Sequence, residues 1–174
     1  KSLRDQGYQG GLWKRRLLVG VKAPVFSMSK LIGVDTYLGP EMKSTGEVMG
    51  IDRHFRAAIT KALLAGGLML PTGGSILLSI ADKDKAEALP LIRGLVQAGY
   101  RIYATEGTAA MVSALGISVT MIGKKLGEGH PNVLDIIYDG TVNAVVNTIS
   151  ESAATIRDGF EIRRGAAELR IPCF

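Results

Sequence analysis

From Ser75 to Phe174, short apolar runs of strand length alternate with stretches of helical periodicity, most of them bounded by glycines or polar turns. That rhythm admits few folds. Strands separated by helices pair in parallel through right-handed crossovers, which predicts a doubly wound α/β sheet. Ser75–Ile80 reads as the first strand. Asp82–Ala98 reads as a helix, with acidic residues early, Leu89, Ile92, Leu95 and Val96 on one face, and Gly99 at its end. Tyr100–Thr105 is the second strand, Gly107-Thr108 opens a helix over Ala109–Leu115, and Ile117–Ile122 is the third strand. A polar loop (124–131) leads to a short helix at Asn132–Tyr138, a fourth strand at Ala144–Ile149, a helix at Asp158–Arg170 and the start of a fifth strand at Ile171–Phe174. The expectation is a mostly parallel five-stranded sheet.

The first half lacks this rhythm. Val19–Lys22 and Pro24–Phe26 are strand candidates, but residues 1–50 show no self-sufficient core and are expected to be partly disordered or to borrow contacts from another chain. Leu38–Gly50 has neither helical period nor strand alternation and reads as a polar loop entering a helix over 52–65, closed by Gly66-Gly67. Residues 68–74 are a linker. The organisation expected is therefore 1–50, a helix and linker at 51–74, and an α/β domain at 75–174. The start lacks methionine, so a piece of a longer chain is expected. Lys1–Gln6 is polar and unlike a signal peptide, and no run approaches the roughly 18 apolar residues of a membrane span. A single cysteine, Cys173, gives no disulfide framework or metal cluster and points to a cytoplasmic setting.

Ligands of open parallel sheets gather at the carboxyl ends of the strands. Those ends carry Ser79, Asp82, Lys83 and Lys85; Thr105, Gly107 and Thr108; Lys124, Lys125, Glu128, His130 and Asn132; and Asn147, Thr148 and Ser150. Lysines, hydroxyls and an amide converging from four strands form a phosphate site by chemistry. Thr105-Glu106-Gly107-Thr108 enters a helix N-terminus, where free N–H groups and the dipole attract an anion, and Lys85 and Lys125 add point charges. Each residue also has a plainer reading: Lys85 as a solvated lysine, Thr108 as a helix cap, Asn147 as a strand cap, His130 as a loop histidine, Cys173 as a small buried residue. With a net charge of +5, the only tight basic clusters are Lys14-Arg15-Arg16 and Arg163-Arg164; the other basic residues occur singly in Gly- and Thr-rich turns and aromatics are 6%, which suits small phosphorylated ligands or plain solvation better than nucleic acid.

Several motifs carry a family resemblance. Asp84-Lys85, Tyr103–Ala109, Lys125–Asn132, Val146-Asn147-Thr148 and Ile162-Arg163-Arg164 are similar to the methylglyoxal-synthase-like, Rossmann-like domain that ends the large chains of carbamoyl-phosphate synthases. Leu38–Gly50, Lys1-Ser2-Leu3, Gln6-Gly7 and Val21–Ser27 resemble the end of the ATP-grasp unit that precedes it. The resemblance implies a regulatory domain that binds a nucleoside monophosphate, uridylate (UMP) or inosinate (IMP), with Ser79, Lys85, Thr105, Gly107, Thr108, Lys125, Asn147 and Thr148 as its contacts. It implies no catalytic and no metal residue here. The parent ligase would use ATP with Mg or Mn, in pyrimidine and arginine biosynthesis, with the rest of the large chain and a glutaminase small chain as partners and a homo-oligomer conceivable. Ala23 replaces a glutamate linked in some bacterial members to ornithine control, and Ile149 replaces a further hydroxyl or proline. The sheet edge is expected to be incomplete at Phe174. Two other functions stay open: a methylglyoxal-synthase-type lyase acting on dihydroxyacetone phosphate, for which no Gly-Gly-Asp segment is present, and an interaction domain that has lost its ligand.

Overall fold

The computed structural model describes residues 1–12, 14, 16–26, 40–123, 129–149 and 153–174, with the backbone alone for 153–157. Strand β3 (Gly74–Ser79) lies between β4 (Tyr100–Thr105) and β6 (Ala144–Asn147), and β5 (Thr120–Ile122) flanks β4. All pairings in this sheet are parallel. A strand with neighbours on both sides and helices on both faces is buried on both, and Ser75–Ser79 is buried at every position, with Ile76, Leu77 and Leu78 as its apolar centre.

Alternation along β3 divides the core. Ile76 and Leu78 pack with Ile92 of α2 (Lys85–Gln97) and Val112 of α3 (Glu106–Ala114). Leu77 faces the other layer, with Ile136 and Ile137 of α4 (Val133–Tyr138) and Ile162 and Ala166 of α5 (Ala153–Glu168). The chain thus runs outward from β3 through β4 to β5, then returns to the far side of β3 as β6. The helices change face at that return, which gives the expected doubly wound architecture.

The sheet has four named strands, and the last residues only begin a fifth. Cys173 makes a parallel bridge to Val145, and the Asn147 N–H donates to the Phe174 carbonyl at 2.8 Å. β5 is shorter than the expected strand because Ile117 and Val119 pack against the core without joining the ladder.

The polar run before the first helix departs from the sequence expectation. Ser44–Asp52 is a strand, β2, antiparallel to a single strand β1 (Val19–Phe26), rather than a loop. Tertiary pairing overrides a segment of low strand propensity. Helix α1 (Phe55–Ala65) lies against both strands through Ala58 and Ala62. A Cβ at Gly50 would stand 2.0 Å from the Ala58 carbonyl oxygen, so glycine sets that close approach. Asp52 fastens the corner, accepting from the His54 N–H at 3.0 Å and the Lys61 ammonium at 2.8 Å. The Lys61 contact, then the His54 amide, pulls its carboxyl down to about 2. The boundary drawn at residue 50 therefore runs through β2. Leu38 and Gly39 lie outside the described residues.

Candidate functional site

Helices change face between β3 and β6, and at that switch point Ser79 is the register partner of Asn147. The end of β4 lies on the other side of β3, so Thr105 and α3 complete one edge of the same crevice. Ser79, Thr105, Asn147 and Thr148 are therefore brought together by strand order alone.

The hydroxyls do structural work there. Both N–H groups just past β3 are met by threonines: Thr108 Oγ1 accepts from the Ile80 N–H at 3.1 Å, and Thr148 Oγ1 from the Ala81 N–H at 2.7 Å. The Thr148 N–H in turn donates to the Ser79 carbonyl at 3.0 Å. Thr108 is 1% exposed, so its hydroxyl serves the backbone rather than the crevice. The helix cap reading places it wrongly too: the N-cap of α3 is Thr105, whose side chain makes no cap bond. Thr108→Val keeps the shape and leaves the buried Ile80 N–H without an acceptor. Chemical denaturation should show a loss of about 1–3 kcal/mol, with faster exchange of the Ile80 amide; unchanged stability would contradict this role.

Lys85 occupies an unusual position. Its ammonium lies over the first turn of α3, 3.2 Å from where a Cβ at Gly107 would be. A cation at the positive end of a helix is unfavourable unless an anion balances it. Asp82 supplies that anion, with Oδ1 2.6 Å from Nζ; the Lys85 side chain is 22% exposed and the Asp82 side chain 94%. The Lys85 hydrogen bond and charge hold the Asp82 carboxyl below its ordinary value. The Lys85 ammonium thus sits at the amino end of α3 with a solvent-facing carboxylate as its counter-ion.

Asn147 is met from α5. Arg163 donates Nη1–H to Asn147 Oδ1 at 2.7 Å, and both atoms crowd Gly159. The strand-cap reading of Asn147 thus gives way to a side chain held by a helix. Sequence reasoning noted Arg163 only as part of a motif; its separation from Asn147 offers no local signal beyond the one-turn spacing Gly159-x-x-x-Arg163. His130 does not join these groups: Nδ1 is 2.6 Å from Asp135 Oδ2, and Asp135 is the reciprocal partner of Asn132 in the capping box of α4. Lys125, with Lys124, Glu128 and Ser150, lies outside the described residues. Cys173 is half-buried, and desolvation pushes its thiol up to about 11.

Two concavities lie elsewhere. One, of about 760 Å³, runs along Leu3–Arg16; the other, of about 450 Å³, opens at the amino ends of the strands beside Asn143 and Ile171. Neither gathers polar side chains from several strand ends. Among the described residues no group of three or more His, Cys, Asp or Glu is placed to hold a metal ion, and no helix is long and apolar enough to cross a membrane.

Residues 87–174 match the family described as MGS-like domain. That span contains Thr105, Gly107, Thr108 and Asn147 and begins just after Lys85. The carbamoyl phosphate synthase large chain of Thermomicrobium roseum is 56% identical over 173 residues, 99% of this chain. The chain spans 16% of the length of that relative.

Proposed function

The chain belongs to the MGS-like domain family, and we propose that it is the effector-binding region of a carbamoyl-phosphate synthase large chain, taking a nucleoside monophosphate at the carboxyl ends of β3, β4 and β6. The observation that carries this reading is the Lys85 ammonium held over the N-terminus of α3 and balanced, among the described residues, by a solvent-facing carboxylate. A phosphate group supplies the same charge with more acceptor oxygens, and the helix amides add donors to it. Lys125 is assigned to the same ligand on the strength of its motif. Uridylate and inosinate are the ligands proposed. In the longer protein, ATP-dependent chemistry with Mg or Mn would belong to other segments, and β2 would be the covalent route by which effector occupancy reaches them.

A lyase acting on a triose phosphate needs a carboxylate base whose pKa stands near the working pH. Asp82 is shifted the other way, and Glu106 is solvent-exposed. The test is isothermal titration of this chain with uridylate and with inosinate, beside a colorimetric assay for methylglyoxal from dihydroxyacetone phosphate. Saturable heats with one nucleotide and no methylglyoxal are expected. Methylglyoxal formation would overturn the reading, and heat-free injections of folded protein would point to a domain without a ligand.

A further inference from the structure

We propose that Arg163 fixes the orientation of the Asn147 side-chain amide, so that the crevice is offered hydrogen-bond donors and no acceptor from this residue. A guanidinium carries only donors. Its 2.7 Å bond to Asn147 therefore engages the amide oxygen and leaves the NH2 group, with two N–H bonds, for whatever occupies the strand ends. An amide free to flip would present its oxygen as readily, and an oxygen facing a phosphate or a ring carbonyl is repulsive.

Gly159 supports the same assignment independently of the bond. Arg163 and Gly159 are one turn apart on α5 and so share a face. A Cβ at 159 would lie 2.9 Å from Arg163 Nη1 and 3.3 Å from Asn147 Oδ1. The pair is thus laid directly on bare helix backbone, at a helical position where glycine is otherwise the poorer choice. Gly159, Arg163 and Asn147 act together as a local polarity filter: the ligand atom that faces the Asn147 NH2 must be an acceptor, such as a phosphate or carbonyl oxygen. The choice of ligand class deepens the nucleotide reading above and rests on it; the orientation itself does not.

The test uses the ¹⁵N-labelled chain without ligand, comparing wild type, Arg163→Met and Gly159→Ala. The second variant keeps the arginine but displaces the tip of its flexible side chain, and its thermal midpoint should not fall. Side-chain ¹⁵N relaxation of Asn147 Nδ2 should give an order parameter of roughly 0.8 in wild type and below roughly 0.6 in both variants. In nucleotide titrations both variants should bind roughly tenfold more weakly, and Asn147→Asp, which keeps an oxygen for Arg163 but replaces the NH2 with a second one, should lose more. Unchanged Nδ2 order in Arg163→Met would overturn the inference. If that order falls while wild type binds neither nucleotide, the positioning role stands and the nucleotide reading fails.

Discussion

Replacing Lys85 by alanine is expected to weaken nucleoside-monophosphate binding by roughly 10- to 100-fold, because a charge-assisted bond to phosphate contributes about 1.5–3 kcal/mol and about 1.4 kcal/mol is tenfold. Folding should hardly change. The partner that Lys85 leaves behind, Asp82, faces solvent and needs no counter-ion. The same geometry predicts an effect of opposite sign at Asp82. Asp82→Asn removes the carboxylate that occupies the ammonium and repels an incoming anion, so affinity should rise several-fold. The pH dependence follows from the depressed carboxyl of Asp82. A lowered value means the ion pair is fully formed above the ordinary 3.8 and is lost only as pH falls below it. Between roughly pH 5 and 8 Asp82 therefore stays ionised, and any change in affinity across that range reports the second ionisation of the ligand's phosphate, at about pH 6, rather than the ion pair. Titration calorimetry of both gives the answer; equal affinities for wild type and Lys85→Ala would move the site elsewhere.

Gly50→Ala should produce the largest loss of structure from a single methyl group. The new Cβ would stand 2.0 Å from the Ala58 carbonyl oxygen and 2.4 Å from the Ala62 amide nitrogen. Those are backbone atoms of α1 and cannot rotate aside, so the helix must lift from β2. Overpacking costs of this type run from 1 to 3 kcal/mol and sometimes more, and at least ~3 kcal/mol is expected here. Lifting α1 also strains the Lys61 bonds to Asp52 and to the Ile51 carbonyl, which close the same corner. Hydrogen exchange followed by mass spectrometry should show faster exchange across β1, β2 and α1, while β3, β4 and β6 keep their protection. Wild-type protection of α1 in the variant would mean that the helix and strand are not locked at this point.

The two halves of the chain differed in how much the sequence disclosed. β3, α2, β4 and α3 are legible because each satisfies its own periodicity: a fully buried apolar run, an apolar face with a glycine stop, and a tight turn between. β2 is not. Gly46, Glu47 and Gly50 break any alternation, and its strand character comes from pairing with β1 and from α1 lying on Gly50, neither of which is local. At the site, the strand-end rule finds Ser79, Lys85 and Asn147 but assigns no direction to a hydroxyl. Thr108 and Thr148 read as ligand donors in the sequence, and nothing in it shows that their oxygens also accept from the first two amides beyond β3. Arg163 escapes notice because it reaches Asn147 across the α5–β6 layer, and nothing in its neighbours advertises that reach.

The central claim, a nucleotide site at the carboxyl ends of the parallel strands, is tested most directly by mapping amide chemical-shift changes as uridylate and then inosinate are added to the ¹⁵N-labelled chain. The account predicts saturable changes concentrated at Ser79–Lys85, Thr105–Thr108 and Asn147-Thr148. Changes centred instead on Pro71, Asn143 and Ile171 at the opposite end of the sheet, or none with either nucleotide, would contradict it.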